Sequence, residues 1–517
     1  MKKTKFVLAV LLAVVTTLPV MAAGRQAQSG TGSGGAVKIE AFLEPWVNQT
    51  IEGSDPYRDY INQLTGADWT ITITSDFTAE LTTRAVAGNL PDLIQLPDTR
   101  RLDSMYNEGI LLADWTPYKA SLPNAIKAMG DSAITRFTTN GKLICISTEP
   151  GDQLWAWNIR KDWLAKLGLK MPTTPDEFFN VLKAFTENDP DGNGKKDTYG
   201  LTAAGDGKNI NELSNLGLMY GPTSWYVSNN NVSHPIIDGN YRKTLDFIRR
   251  VHSAGYIDPD WYTISWGDRV PGLLNNGIYG VAWYPPEALL QEGGRYRRDQ
   301  AGTDWWDVMP TPKGGPDGGK LIALPIYGAI NTVSATTGRD QAKMAAITKL
   351  LNEAVPLNEA YYAIRYGVGI DKFTMEMIEG RAYVDMGAGP ISQGARMGEA
   401  PGQSQALWNW GKIICTYSLT GNGLVGQEPT IDSQNRQGIK LSNIVMAQPR
   451  IGNDHLLLNL NSDYSTATET LVNEFTIQYI LGQTSDYDGF VRQWLASGGQ
   501  ALLDEATQQL KGYGRIR

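Results

Sequence analysis

The sequence predicts an α/β protein of two large lobes, and three observations predict it. The chain has 517 residues, more than one ordinary core supports, since domains stop growing at about 250 to 300 residues. Apolar residues make up 42% and charged residues 19%, the balance of a chain that buries a core. Strand-like and helix-like segments alternate along most of the length, an order that implies parallel sheets.

The first segment is an address. MKKTK is a basic start, FVLAVLLAVVTTLPV an apolar run, and Val20-Met21-Ala22 supplies small residues for cleavage, so residues 1–23 read as a secretory signal peptide. The other reading, an uncleaved anchor, is disfavoured because the run falls short of the ~20 apolar residues of a spanning helix. Residues 24–36, which include GRQAQSGTGSGG, form a flexible tether. No cysteine follows the apolar run, so the expected location is the periplasm, with the protein freely diffusing rather than lipid-anchored.

After the tether, VKIEAFL (37–43) reads as a first strand and a helix-like segment spans about 55–64. Alternation in 69–74 (WTITIT) gives a second strand, and FTAELTTRAVAGN gives a helix stopping at Gly88-Asn89. The short run 92–96 (DLIQL) is a third strand. Further on, AWNIR runs into the helix KDWLAK. Thr174, Pro175 and Glu177 form a capping box opening a helix whose Phe178, Val181, Leu182 and Phe185 share one face. The strand IYGVAWY, the helix RDQAKMAAITKLLNEAV and a largely helical C-terminal hundred residues complete the pattern.

Charge and motifs exclude several functions. A formal charge of -8 leaves no basic stripe to displace counterions from phosphates, so no nucleic-acid partner is expected. The three histidines, His234, His252 and His455, form no HExxH pattern, which argues against catalytic zinc. None of the Gly-Lys pairs is followed by Ser or Thr, so there is no phosphate-binding loop of that type. A carboxylate-pair glycosidase stays open, because the spacing of two carboxylates in space is not visible in sequence. Cys145 and Cys415 sit in the apolar runs LICIS and KIICTYS and read as two buried thiols, with a disulfide as the other reading.

One loop carries a specific signal. In DPDGNGKKD, Asp189, Asp191, Asn193, Gly194, the Lys195 carbonyl and Asp197 fall at positions 1, 3, 5, 6, 7 and 9 of a calcium-binding loop. Position 12, where a bidentate glutamate belongs, is Gly200. The segment after Asp197 reads as strand, so no second helix is available to swing. Calcium is therefore expected as a structural clip between a helix and a strand; the other reading is a solvated Asx-rich turn.

The aromatic content points to a ligand class. With 15 Trp and 23 Tyr against 11 Phe, the chain favours rings with a polar edge, suited to half-exposed sites. Such rings stack on the C–H faces of sugars. Trp46, Trp155, Trp157, Trp225, Trp266, Trp283 and Trp408 fall at predicted strand ends or in loops, where open α/β sheets bind ligands. Asp152 and Tyr366 join them as the expected ligand-binding set; packing within a lobe is the other reading of each tryptophan.

ELTTRAVAGNLPDLI (80–94), IRKDWLAKLGLKMPTTPDEFFNVLKAFTENDPDGNGKKDTYGL (159–201), LLNNGIYGVAWY (273–284), YYAIRYGVGID (361–371) and the tail FVRQWLASGGQALLDEATQQL together resemble the bacterial extracellular solute-binding proteins of family 1. The match is to their calcium-loop branch, which includes alginate-binding and lipoprotein-type members. The resemblance implies a two-lobed clamp of mixed and parallel sheets that closes on a saccharide and delivers it to the permease subunits of an ABC importer. It implies a monomer with no catalytic residues. Chain crossings are implied near 146–151, 319–325 and 390–410, giving lobe 1 as 37–150 and 320–400 and lobe 2 as 151–319 and 401–517. The metal ligands carry over as Asp189, Asp191, Asn193, Lys195 and Asp197. Thr198 stands where related loops carry an acidic residue, which makes a hydroxyl or water the expected last ligand. Two alternatives remain: the same clamp taking a peptide or other polar solute, and a secreted carbohydrate-active enzyme.

Overall fold

Eight strands build two four-stranded sheets in the computed structural model: β1 (Val37–Leu43), β2 (Ala67–Thr72), β3 (Leu93–Leu96), β4 (Ala156–Arg160), β5 (Tyr199–Leu201), β6 (Tyr279–Tyr284), β7 (Trp306–Val308) and β8 (Ile330–Val333). The structure describes residues 36–43, 55–72, 74, 76–96, 99–147, 155–265, 269, 272, 277–286, 305–321, 330–355, 358–366, 374–378, 381–385, 410–414, 424–425, 429–452, 454–460 and 462–517. Val37–Arg517 is one compact unit.

The first sheet runs β8-β3-β1-β2. β1 is parallel to β2 and β3, and β8 is antiparallel to β3. Ile39, Ala41, Phe42 and Leu43 are all buried, as a central strand covered on both faces requires. Helix Pro56–Thr65 is capped by Asp55, whose Oδ1 accepts from the Arg58 amide at 2.9 Å. Its Oδ2 accepts from the Trp410 indole at 2.8 Å, tying a distant segment into this lobe. Asp92, just before β3, accepts from the Glu40 amide, the Thr337 hydroxyl and Lys343 Nζ. One carboxylate thus binds two strands, a turn and helix Gln341–Glu353.

The second sheet runs β7-β4-β6-β5, with β4 antiparallel to β6 and β7 and β6 parallel to β5. Helix Pro175–Glu187 opens with both halves of the capping box and buries Phe178, Val181, Leu182 and Phe185 against the sheet. Two large hydrophobic cores result: one holds Phe42, Trp69, Trp115 and Phe137, the other Trp157, Trp163, Phe178 and Trp283; a small third cluster of Tyr279, Ala282, Tyr284 and Trp306 lies on the second sheet.

Core membership can be read close to two of the expected chain crossings. Leu321 belongs to the second core, because its backbone pairs with Pro449 and Ile451. Trp410 and Ile413 belong to the first, held by Asp55 and by the Asn331 side chain, which donates to the Ile413 carbonyl. The chain therefore returns to the first core only beyond Leu321 and is still in it at Ile413. Cys145 is a buried free thiol, its pKa pushed well up by burial; Cys415 lies outside the described residues.

Candidate functional site

The acidic loop joins helix Pro175–Glu187 to β5. Asp189 adopts a left-handed backbone (φ 48°), and Gly194, at the sharp turn, has φ 77°. The Asp189 carboxylate accepts from the amides of Gly192 and Asn193 (both 3.1 Å) and Gly194 (3.0 Å), which winds the loop around it. The Asn193 side-chain nitrogen donates to Asp191 Oδ2 at 2.8 Å and to both oxygens of Asp197 at 3.1 and 3.2 Å. Its carbonyl oxygen accepts from the Lys195 amide at 2.7 Å.

These carboxylates feel one another. Burial raises the pKa of Asp189, but the hydrogen bond from Asp191 and the three backbone amides outweigh it and hold Asp189 below the usual carboxylate range. Asp191 is pushed above that range by burial and by the neighbouring Asp189 and Asp197 charges. Among the described residues no group of three or more His, Cys, Asp or Glu side chains is gathered into a metal-binding cluster. The donor chemistry nonetheless fits a hard cation. One partly positive nitrogen lies within 3.2 Å of three carboxylate oxygens of Asp191 and Asp197, and calcium takes oxygen ligands at about 2.3 to 2.6 Å.

Two features of this region bear on the calcium-loop reading. Thr198 is 2% exposed, and its hydroxyl donates to the Phe185 carbonyl at 2.8 Å, fastening the end of the helix. The missing glutamate at Gly200 has a steric cause. A Cβ there would stand 2.5 Å from the Leu182 carbonyl oxygen and 2.6 Å from its Cα, because β5 runs directly against the helix backbone.

The aromatic set divides. Trp157 and Trp283 are cross-strand partners of β4 and β6, with ring centroids 5.3 Å apart, edge to face. They are 1% and 4% exposed inside the second core. They pack inside the second core, in strands whose residues are buried on both faces. Trp155, just before β4, is half-buried and lies 5.7 Å from the Tyr284 ring at the carboxyl end of β6, the sheet edge where ligands of open α/β sheets are held. Asn158 donates to the Ala156 and Tyr284 carbonyls and braces that edge. Trp46, Asp152, Trp266 and Trp408 lie outside the described residues, as does the side chain of Tyr366, which ends helix Glu359–Tyr366.

Trp225 is half-buried and packs with His234 (4.7 Å) and Trp494 (6.2 Å), while His234 stacks on Trp494 at 5.2 Å. The three rings line a pocket of about 520 Å³. Sequence reasoning passed over His234 and Trp494. The Pro after His234 was the available signal, since His234 caps helix Pro235–Asp238 by accepting from the Ile236 amide. Burial pushes the imidazole down to about 3, so the ring is neutral.

Two sheets, two cores and chain crossings between them define a two-lobed solute-binding fold. No protein-family model matches the chain. Among curated proteins it is similar to the polygalacturonan/rhamnogalacturonan-binding protein YtcQ of Bacillus subtilis (strain 168), 25% identical over 471 residues that cover 87% of each chain. It is also similar to lipoprotein LipO of the same organism, 22% identical over 500 residues and 93% of each chain. Among solved structures it matches an HMO-binding, ABC-transporter-associated solute-binding protein from Bifidobacterium longum infantis, with TM-score 0.67 and 16% identity over 93% of this chain and 99% of that one. It matches an EF-hand mutant of the Streptococcus pneumoniae substrate-binding protein FusA with fructo-nystose bound, with TM-score 0.61 and 15% identity over 92% and 99%. The fold is thus that of extracellular solute-binding proteins of sugar importers, the class the motifs resemble, and the two solved structures are of ABC-transporter binding proteins.

Proposed function

We propose that this chain is the binding component of a carbohydrate ABC importer. It captures a saccharide, an oligosaccharide by its size class, and presents it to permease subunits at the membrane as a monomer without catalytic activity. The observation that carries the reading is likeness over nearly the whole chain, in sequence and in fold, to saccharide-binding transport proteins. A half-exposed tryptophan at the strand-carboxyl edge, Trp155, supports it. The basic start and apolar run at the N-terminus support export to the periplasm by a cleaved signal.

Calcium belongs to the same reading. Asp189, Asp191, Asn193 and Asp197 would hold it with the Lys195 carbonyl, and the ion would supply the positive charge these carboxylates otherwise lack. The loop then clips helix Pro175–Glu187 to β5 and takes no part in ligand capture.

Melting of residues 24–517 with calcium present, against mono- and oligosaccharides, tests the function. A ligand at 100 times its dissociation constant adds about 2.7 kcal/mol, a visible rise. A rise with peptides alone would hand the clamp to the peptide reading, and a saccharide recovered in cleaved form would make the protein an enzyme.

A further inference from the structure

Among the described residues the chain passes between the two large cores three times: between Ile146 and Ala156, between Leu321 and Ile330, and between Ile413 and Leu441. The first-core ends of all three passages meet at one residue, Asn331 in β8. Its backbone amide donates to the Ile146 carbonyl at 2.8 Å, and its carbonyl accepts from the Ile146 amide at 2.9 Å. Its side-chain nitrogen donates to the Ile413 carbonyl at 3.0 Å. Asn331 is also the register partner of Gln95, at the carboxyl end of β3, the edge where open α/β sheets hold ligands. The second-core ends are spread by comparison. Ala156 opens β4, whereas Leu321 pairs with Pro449 and Ile451, beyond helix Pro429–Ala447.

We infer that Asn331 is a positioning residue of the hinge: it gives the three crossings one common origin at the edge of the first sheet, so that the lobes open along a single path. Three unlinked segments would each bend at their own soft dihedrals and let the lobes twist and slide as well as open. The residue type supports the assignment. Its neighbours in β8, Ile330, Thr332 and Val333, are buried, and Asn331 itself is 4% exposed. Among the described residues its side-chain oxygen has no hydrogen-bond partner, and a buried oxygen left unpaired costs stability. Leucine has the same branching and carries no such cost, so stability alone does not select an amide here. What the amide adds is the bond to Ile413. The inference rests on the clamp reading of the proposed function.

Pulsed electron spin resonance on residues 24–517 without ligand tests it. Spin labels go on Val86→Cys, in helix Phe77–Ala87, and on Leu481→Cys, just after helix Ser462–Ile480; both positions are exposed. Cys415→Ser removes one native thiol, and Cys145 is buried. Asn331→Leu keeps both backbone bonds to Ile146 and removes only the side-chain donor. Asn352→Leu is the comparison, since it removes a buried amide that accepts from the Asn124 amide at 2.8 Å within the first lobe. The expected result is an interlobe distance distribution widened at least about twofold in Asn331→Leu and unchanged in Asn352→Leu. Equal distributions in all three proteins would overturn the inference, and so would equal widening in both variants, which is general loosening. Should Asn331→Leu fail to fold, hydrogen exchange in the wild type decides. The Ile146 and Asn331 amides and segment 410–414 should open as one unit, and a faster exchange class for 410–414 would overturn the tie. No ligand enters either measurement, so a failure to bind any saccharide would overturn the proposed function alone.

Discussion

Each lobe lays a helix against a sheet and fastens the chain with carboxylates; the first lobe's fastenings at Asp92 and Glu40 contain their own cations, whereas the second lobe, which has built-in pairs such as Arg269 with Glu212 elsewhere, has none at its acidic loop among the described residues. Asp92 is met by Lys343 at 2.7 Å, and Glu40 by Arg84 at 2.6 Å. In the second lobe, Asp189, Asp191 and Asp197 are met by backbone amides and the Asn193 amide, and among the described residues they form no ion pair. A fastening with an ammonium built in works at any metal concentration. One made of carboxylates alone gathers like charges that repel unless a counter-charge arrives from solution. The fastening at Asp92 is thus self-contained, and the acidic loop is conditional.

The largest effect comes from forcing the second fastening toward a complete calcium loop. Gly200→Glu restores the ligand type of position 12 by pattern, yet its Cβ would collide with the Leu182 backbone. A loss of about 3 kcal/mol or more is expected in urea unfolding, with or without calcium. A folded variant with tighter calcium binding would break the steric account. Next comes Asp92→Ala, which strands Lys343 and frees the Glu40 amide. The pair is mostly but not fully buried, so about 2 to 3 kcal/mol should be lost, equally in calcium and in chelator.

These contrasts bear on what the sequence could tell. The first sheet, the capping box and the helical tail were legible because each rests on local pattern: β1, β2 and β3 fall within two residues of the runs read as strands, and Thr174 and Glu177 cap as their spacing requires. The acidic loop was legible as a loop because alternate acidic and amide residues around Gly194 wind locally. Thr198 was not, since the Phe185 carbonyl that claims its hydroxyl is contributed by the preceding helix. Trp157 and Trp283 misled for a related reason. Both faces of β4 and β6 are buried, because segments distant in sequence cover the sheet on each side, and no local pattern shows that cover. Trp494 lay some 270 residues from Trp225, beyond any local pattern.

Removing calcium should separate the lobes next. With calcium at ten times a dissociation constant of about 10⁻⁴ M, linkage adds about 1.4 kcal/mol. The melting temperature should fall by the corresponding amount in chelator. Asp189→Ala should abolish that fall and Asp92→Ala should leave it intact. A calcium shift that survives Asp189→Ala would place the ion elsewhere.

The smallest effect is acid sensitivity in the first lobe. The Arg84 guanidinium holds the Glu40 carboxyl below its ordinary value of 4.5, against the opposing effect of burial, and the Thr72 hydroxyl adds to it. The lowered folded value means the pair's stabilisation is fully present above pH 4.5 and is lost as pH falls through 4.5 toward the folded value. Glu40→Gln should therefore cost about 1 kcal/mol at pH 7, in keeping with a partly exposed pair, and its deficit against wild type should shrink toward zero in urea titrations taken down to pH 3. A deficit constant across that range would mean that Glu40 stabilises by shape rather than charge. The first lobe's independence from solution ions would then rest on Lys343 with Asp92 and on Arg136 with Asp103.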